Sequence, residues 1–295
     1  MGVHASPLTW ATRALWLTLP VTLGDLLATA LAGRSSAVAT TAAATAWAVW
    51  TAGMVSSLIL RPVTLTVLRI VAPLPVIAGV TAAVVDAPTA LGWVGLATAA
   101  VVAASAMTAD VGGDFVDGPS YGDERRMALR PPAVLLLGPL QGVWVLTVAP
   151  LLMGIGLLAA EQWAVGAVSL VVGLGTAWWG YRVLVRLAQR FVVFVPAGLT
   201  LVDPMALAEP TLFRRDSIVR LGPAPVDSNA LDLTAGAAGL IVQIDLELAA
   251  PVVPVAGRRG GVAEPVETHS VLLAPTRPGA LLTGAEARRI LVQRT

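Results

Sequence analysis

Residues 133–159 read AVLLLGPLQGVWVLTVAPLLMGIGLLA and contain no charged side chain. A helix needs about 20 predominantly apolar residues to cross the hydrocarbon core of a bilayer. Charged residues make up 13% of the 295-residue chain, whereas they make up about 25% of an average soluble domain. The segment therefore predicts a transmembrane helix, and the composition predicts that much of the surface faces lipid.

Other stretches of the N-terminal part share this apolar character and are separated by polar or proline-containing breaks. The break at Arg61-Pro62 is the tightest, but residues 37–85 are too long for one span. Counts of five or seven spans stay open. Residues 1–190 thus form a predicted α-helical transmembrane domain. Its six predicted spans are 14–32, 37–60, 62–85, 90–108, 133–159 and 164–181.

The distribution of arginine predicts the orientation of these spans, because cytoplasmic loops carry an excess of basic residues. With the N-terminus inside, the outer side holds only Arg34, Asp86 and Glu161 as charged residues. We therefore expect a multi-pass protein of the plasma (inner) membrane with both termini in the cytoplasm. The inner side then holds Arg13, Arg61, Arg125, Arg126, Arg130, Arg182, Arg186 and Arg190.

The first span has an alternative interpretation as a cleaved signal peptide. Arg13 would close its basic region, and Ala30-Leu31-Ala32 resembles a small-residue cleavage site. Asp25 argues against cleavage, because it would lie within the hydrophobic region. Either interpretation leaves the orientation of the later spans unchanged.

The sequence excludes several kinds of chemistry. It contains no cysteine, which rules out disulfides, iron–sulfur clusters, thiolate metal sites and a cysteine nucleophile. Its two histidines, His4 and His269, are far apart in the chain, which disfavours histidine metal centres and histidine-based triads. A net charge of +1 gives no reason to expect a nucleic acid partner. We predict no enzyme activity, no catalytic residue, no metal site and no cofactor.

From residue 191 onward the pattern changes to short β-strands, which predicts a β-rich cytoplasmic domain over 191–295. Pro196-Ala-Gly198 predicts a hairpin turn, and residues 257–261 predict a loop. Thr283 and Glu286 have the spacing of a capping box, which predicts a closing helix over 283–293. The predicted strands are 191–195, 199–202, 211–214, 239–248 and 267–273.

The start of this domain resembles bacterial PH-like domains. Arg190-Phe191 opens a strand, a tight turn follows at Ala197-Gly198-Leu199, and Phe213-Arg-Arg-Asp-Ser-Ile218 follows the second strand. The resemblance implies an antiparallel sheet structure closed by a C-terminal helix. Residues 231–261, rich in alanine, glycine and proline, depart from that pattern and leave the strand count open. The whole chain resembles actinobacterial polytopic membrane proteins, which implies no activity.

Asp25 is the one acidic residue well inside a predicted span. An ionisable group in hydrocarbon is costly and by default indicates a proton, ion or substrate path. Pro20 and Gly24 would loosen that helix. The alternative is a structural hydrogen bond to Thr41 or Thr45 on the next span.

Residues 110–130 form the longest predicted loop between spans and are rich in charge. Carboxylates followed by arginines can coordinate a divalent cation or bind an anionic headgroup. A solvated acidic loop followed by topogenic arginines is the alternative. The candidate loop residues are Asp114, Asp117, Asp123, Glu124, Arg125 and Arg126.

Arg182, Arg186 and Arg190 recur every four residues beyond the sixth span, which predicts one helix face at the level of the lipid headgroups. We interpret them as a membrane-surface anchor. In the fifth span, Gly138 and Gly142 have the small-xxx-small spacing of close helix packing.

Together these features favour a non-enzymatic membrane anchor or scaffold whose cytoplasmic domain binds a protein partner or the membrane surface. The expected partners are the lipid bilayer, a protein that binds through residues 191–295, and a second copy in a homo-oligomer. The first alternative is a small-solute or lipid transporter that uses Asp25. The second is an envelope-lipid enzyme that uses the acidic loop 110–130.

Overall fold

The computed structural model describes residues 5–255 and 264–293. The chain divides into a helical unit, formed by His4–Phe115 and Gln141–Val185, and a sheet-rich unit, formed mainly by Val116–Leu140 and Arg186–Thr295. The loop predicted at 257–261 lies outside the described residues.

The described residues form eleven helices and eight strands. The helices are α1 (Pro7–Thr22), α2 (Gly24–Leu31), α3 (Ser36–Leu58), α4 (Pro62–Val71), α5 (Leu74–Val85), α6 (Ala90–Ala106), α7 (Ala109–Asp117), α8 (Ala133–Leu136), α9 (Pro139–Ala159), α10 (Trp163–Ala188) and α11 (Pro278–Glu286). The strands are β1 (Arg125–Ala128), β2 (Phe191–Val195), β3 (Gly198–Val202), β4 (Thr211–Arg214), β5 (Ile218–Pro223), β6 (Leu231–Asp232), β7 (Val242–Val252) and β8 (Val266–Leu273).

Apolar helices of membrane-spanning length dominate the helical unit. By length and composition, five stretches of the described chain can cross a membrane, and the count becomes six if α6 and α7, which are bent by 56°, form one span. This confirms the prediction of a helical N-terminal half that contains helices long and apolar enough to cross a membrane. The five stretches are Pro7–Leu31, Ser36–Leu58, Pro62–Val85, Pro139–Ala159 and Trp163–Ala188.

Several predicted span boundaries shift for local reasons. The fifth span begins at Pro139 and not at residue 133, because Gly138 has a φ of +147° that interrupts the helix. The sixth continues to Ala188, beyond the predicted end at residue 181, so its arginines extend the helix. The third is broken before Leu74 by Pro73, which has no backbone N–H to continue the helix.

The core of the helical unit is built around Trp16 on α1, whose side chain is buried. The Trp16 indole donates to the carbonyl of Trp50 at 2.9 Å, and the Trp50 indole donates back to the carbonyl of Trp16 at 3.0 Å. A Cβ on Gly53 would lie 1.9 Å from the Trp16 ring, so only glycine fits beneath the ring. This reciprocal pair joins α1 to α3, and Leu65 and Leu68 of α4 lie in the same core.

The sheet-rich unit contains two four-stranded sheets. The first has the order β1-β2-β3-β4 and is antiparallel throughout; the second has the order β5-β7-β8-β6, with β6 parallel to β8. Phe194, Leu199 and Phe213 are buried in one core with residues of the second sheet and of α11. A mainly-β C-terminal region with a final helix is thus confirmed.

The predicted domain of residues 191–295 is incomplete, because β1 comes from the segment between the fourth and fifth predicted spans. Arg125 pairs with Phe194 and Ala128 pairs with Phe191, so this segment forms the edge of the first sheet. Its short sequence, RRMA, has no alternating pattern that distinguishes a strand from a charged loop. The sequence-based prediction also missed β5 and β6.

The closing helix lies earlier than predicted. It begins at Pro278, which suits the first position of a helix because the missing N–H has no acceptor there. Thr283 and Glu286 therefore lie inside α11, and they do not form a capping box at its start. Leu281, Leu282 and Ala285 are the buried residues of this helix.

Candidate functional site

Two turns of the sheet-rich unit lie side by side and frame the candidate site. The β2–β3 hairpin turns at Pro196 and Ala197, as predicted, and Val195 pairs with Gly198 across it. The backbone N–H of Arg215, just after β4, donates to the carbonyl of Ala197 at 2.9 Å. The β4–β5 turn is thereby fixed next to the β2–β3 turn, with the Arg215 side chain exposed.

The C-terminus of α11 contributes two further arginines through a Schellman motif. The N–H of Ile290 donates to the carbonyl of Ala285 at 3.0 Å, and the N–H of Arg289 donates to that of Glu286 at 2.9 Å. Arg289 has a φ of +59°, at the position that glycine usually occupies because it alone has no side chain to clash. An arginine at this position is an unusual use of the left-handed conformation.

These segments enclose an open cavity of about 490 Å³ on the sheet-rich unit. Its charged lining consists of Arg215, Arg288, Arg289 and Asp123, and its other lining includes Val195 and Pro196. Three cations from two distant parts of the chain therefore share one cavity with a single acid. This arrangement favours an anionic ligand.

Arg288 is held in place by three contacts. Its guanidinium lies 4.8 Å from the ring centroid of Phe194, its Nη1 donates to the carbonyl of Gly284 at 3.2 Å, and its Nη2 donates to the carbonyl of Asp123 at 2.5 Å. The guanidinium is thus preorganised, whereas Arg215 and Arg289 have no side-chain partner among residues 5–255 and 264–293.

An exposed ion pair flanks the cavity. Arg214 donates to Asp216 through Nε at 3.1 Å and through Nη2 at 2.7 Å. The hydrogen bond from Arg214 lowers the pKa of Asp216, and the same bond raises the pKa of Arg214. Arg214 is therefore already neutralised, unlike its neighbour Arg215.

A buried ion pair joins the start of the first sheet to the rest of the unit. Arg190 and Asp203 have side chains that are 1% and 0% exposed, and Nη2 of Arg190 lies 2.7 Å from Oδ2 of Asp203. Arg190 also donates to the carbonyls of Arg130 at 2.7 Å and Thr234 at 3.2 Å. Its assignment to the membrane-surface anchor was therefore wrong, because the Arg190 side chain is buried and its Nε, Nη1 and Nη2 all donate to groups inside the protein.

The other two anchor residues lie on α10 as predicted. Arg182 and Arg186 are exposed, and the guanidinium of Arg182 lies 5.4 Å from the ring centroid of Trp178. Their role in binding the membrane surface stays a prediction. Arg190 does not share their helix face, because α10 ends at Ala188 and the chain then enters β2.

The candidate loop residues do not gather into one site. Asp117 accepts hydrogen bonds from the Arg125 guanidinium at 2.7 Å, from the Arg126 backbone N–H at 2.8 Å and from the Ser120 hydroxyl at 2.8 Å. Oε2 of Glu124 lies 3.7 Å from Nη2 of Arg126. These four charged residues thus organise the start of β1, while Asp123 lines the cavity described above.

Asp114 has a separate structural role in the helical unit. Its Oδ2 accepts hydrogen bonds from the backbone N–H of Ser6 at 2.7 Å and from the hydroxyl of Thr9 at 2.6 Å. A carboxylate at the N-terminus of a helix satisfies donors that the helix leaves free and complements the helix dipole. Asp114 therefore caps α1 from α7.

Asp25 is exposed in the first turn of α2, directly after the interruption that separates α1 from α2. The expected hydrogen bond to Thr41 or Thr45 is not formed: the hydroxyl of Thr45 donates to the carbonyl of Thr41 at 2.8 Å. A transport role for Asp25 stays a prediction.

Two arginines of the helical unit bind backbone carbonyls, a role that the sequence did not indicate. Arg13 donates to the carbonyl of Ser57 through Nε at 2.9 Å and through Nη2 at 2.7 Å. Arg69 donates to the carbonyls of Ala106 at 3.0 Å and Thr108 at 3.4 Å, where α6 ends before the bend into α7. These contacts are typical of structural roles at helix ends.

Sequence analysis also missed the cavity arginines. The doublets Arg214-Arg215 and Arg288-Arg289 are visible in the sequence, but paired arginines are ordinary on a soluble surface. Only the fold brings them together. Among the described residues, no group of three or more His, Cys, Asp or Glu side chains is placed to hold a metal ion. The chain matches no known family model, no curated protein and no solved structure.

Proposed function

We propose that the protein is a non-enzymatic membrane scaffold whose PH-like C-terminal domain binds a partner protein at the cytoplasmic face of the plasma (inner) membrane. The helical unit anchors the chain in the bilayer. The sheet-rich unit supplies the binding surface.

The connectivity of the chain is the observation that carries this proposal. Within the described residues, the polypeptide passes between the two units at residues 115–116, 140–141 and 185–186. All three passages fall inside helices, namely α7, α9 and α10, and none is a glycine-serine linker. A domain built from two chain segments with an apolar helical hairpin between them is suited to staying attached to a membrane.

Strand pairing supports a placement in which the helical hairpin of α9 and α10 enters and leaves the membrane on the same side. Since β1 and β2 are hydrogen-bonded neighbours, and an open sheet does not cross hydrocarbon, both strands lie on the same side of the bilayer. The helices α9 and α10 between them then cross the membrane and return. The arginines of β1 and of the end of α10 favour the cytoplasmic side.

The PH-like assignment rests on the sequence resemblance and is supported by the arrangement of the elements. Two four-stranded sheets share one core with a C-terminal helix, as the resemblance implies, but the parallel pairing of β6 with β8 departs from its antiparallel pattern. The first strand of this domain would then be β1, encoded more than sixty residues before β2.

The absence of cysteine allows a direct test of the orientation. Single cysteines are introduced at the exposed positions Tyr121 and Val226 of the sheet-rich unit and at Arg34 and Gln162 between predicted spans. A membrane-impermeant maleimide added to intact cells should label Arg34→Cys and Gln162→Cys, and should label the other two only after permeabilisation. The unaltered chain is the unlabelled control. Labelling of Val226→Cys in intact cells would contradict the cytoplasmic placement.

Photo-crosslinking in native membranes tests the scaffold proposal. A photoreactive amino acid replaces the exposed residues Leu212, Val226 or Leu248 of the sheet-rich unit, and Val84 of the helical unit serves as the comparison. We expect a defined protein adduct from the sheet-rich positions. Adducts from Val84 alone, or none at any sheet-rich position, would reject a protein partner for this domain.

A strand-breaking variant links that adduct to the fold. The N–H of Leu129 donates to the carbonyl of Arg190, and that of Arg126 donates to Asp117, so by alternation the N–H of Met127 is directed toward β2. Met127→Pro removes this donor and should abolish the adduct while the chain stays in the membrane. Met127→Leu keeps the strand and should retain the adduct.

A further inference from the structure

We infer that the cavity between the β2–β3 turn and the end of α11 is a binding site for a phosphate monoester, carried by a small molecule or by a lipid headgroup. This inference rests on the proposed function, in which the sheet-rich unit is the binding part of the protein. It adds the chemistry of one ligand.

The charge of the lining selects the class of anion. Arg215, Arg288 and Arg289 against Asp123 leave two formal positive charges in excess. A phosphate monoester carries about −1.5 to −2 at neutral pH, which balances this excess, whereas a carboxylate leaves about half of it unmatched. The planar guanidinium fork also fits phosphate oxygens through paired hydrogen bonds.

The arrangement of the three arginines shows a division of roles. Arg288 is fixed by the Phe194 ring and by two backbone carbonyls, so it offers its remaining donors from a defined position. Arg215 and Arg289 are exposed and have no side-chain partner in the described ranges 5–255 and 264–293. Like charges held close together are unfavourable, and an anion between them removes that cost.

The backbone at Arg289 points independently to a ligand. The Schellman motif needs a left-handed residue at this position, and glycine adopts that conformation with less strain than arginine does. Strain of this kind persists at binding sites because the side chain is needed there. Arg289 lines the cavity that Arg215 and Arg288 also line.

The size of the cavity indicates more than a bare phosphate ion. Its volume of about 490 Å³ lies within the roughly 300–1,000 Å³ that is typical of small-molecule sites. Val195 and Pro196 give one wall an apolar character suited to the carbon skeleton of the ester. We therefore expect phosphate at the arginines and the esterified group against the hairpin.

Calorimetric titration of the full chain in detergent micelles tests the site with two probes, glycerol 3-phosphate and a short-chain phosphatidic acid. Binding of both, or of either alone, supports the site, and the comparison identifies a free phosphate ester or a lipid headgroup as the source. Loss of one charge-assisted contact should weaken binding about tenfold or more in Arg215→Gln and Arg289→Gln. Arg214→Gln is the matched control, because Arg214 is paired with Asp216, and it should bind as the unaltered chain does.

Arg289→Gly separates ligand binding from folding. Glycine relieves the left-handed strain, so this variant should melt no lower than the unaltered chain while it loses the ligand to the same extent as Arg289→Gln. The inference is overturned if neither probe binds, or if Arg289→Gly and Arg215→Gln bind as well as the control. Neither result depends on the crosslinked partner, so failure here leaves the scaffold proposal to its own test.

Discussion

Replacing Arg190 by methionine removes the cation from a fully buried ion pair and keeps most of the apolar volume of its side chain. The carboxylate of Asp203 then loses the guanidinium Nε at 2.9 Å and Nη2 at 2.7 Å. It retains the backbone N–H groups of Met205 at 3.0 Å and Ala206 at 3.3 Å. An uncompensated charge remains in a site from which water is excluded.

Removing one partner of a buried pair costs about 3–5 kcal/mol. The carbonyls of Arg130 and Thr234 also lose a donor, so the upper part of that range is expected. Replacing both partners, as in Arg190→Met with Asp203→Leu, should destabilise the unit less than Arg190→Met alone, because no charge is then left buried.

Hydrogen exchange of the full chain in micelles, followed on peptides that cover β2 and β3, measures this effect. Since about 1.4 kcal/mol corresponds to a factor of ten, the upper part of that range predicts exchange in Arg190→Met that is roughly 1,000- to 5,000-fold faster. Arg214→Met, at the exposed pair with Asp216, is the control and should show no measurable change. Unchanged exchange in Arg190→Met, or a double variant less stable than the single one, would refute the reasoning.

The remaining predictions concern other parts of the chain. Gly173→Ala places a methyl group 2.5 Å from a backbone nitrogen of α9 and should lower the melting temperature in detergent, at a cost of about 1–3 kcal/mol, whereas Gly175→Ala, with nothing within 4 Å, should not. Arg69→Met leaves two carbonyls at the α6–α7 bend without their donor. The free energy of local opening there should fall by about 1–3 kcal/mol, which is measured as faster amide exchange at the bend. The pKa of Asp216 is lowered, so its ion pair with Arg214 is complete above the ordinary carboxylate pKa and is lost as pH falls through the lowered value. Carboxylate NMR should show the midpoint rise in Arg214→Gln.

Helix packing shows how far local patterns extend. The spacing of Gly138 and Gly142 predicted a close approach between helices, yet neither has an atom within 4 Å of a Cβ built on it. The close contacts occur at Gly154 and Gly173, where α9 and α10 approach within 2.5 Å of such a Cβ. Glycine is so frequent in this chain that spacing alone cannot indicate which glycines face a neighbouring helix.

The apolar helices, the change to short strands at residue 191 and the hairpin at Pro196 were all predictable from the sequence. These features depend on hydrophobicity and turn preference, which are properties of neighbouring residues. The pairing of β1 with the C-terminal strands became visible only in the folded chain, since strand pairing across an intervening helical hairpin leaves no local pattern. The surroundings of the arginines also depend on the fold. Arg190 is buried against Asp203, whereas Arg289 lines a cavity. The sequence gives the charge of each side chain, but only the packing of distant segments sets what surrounds that charge.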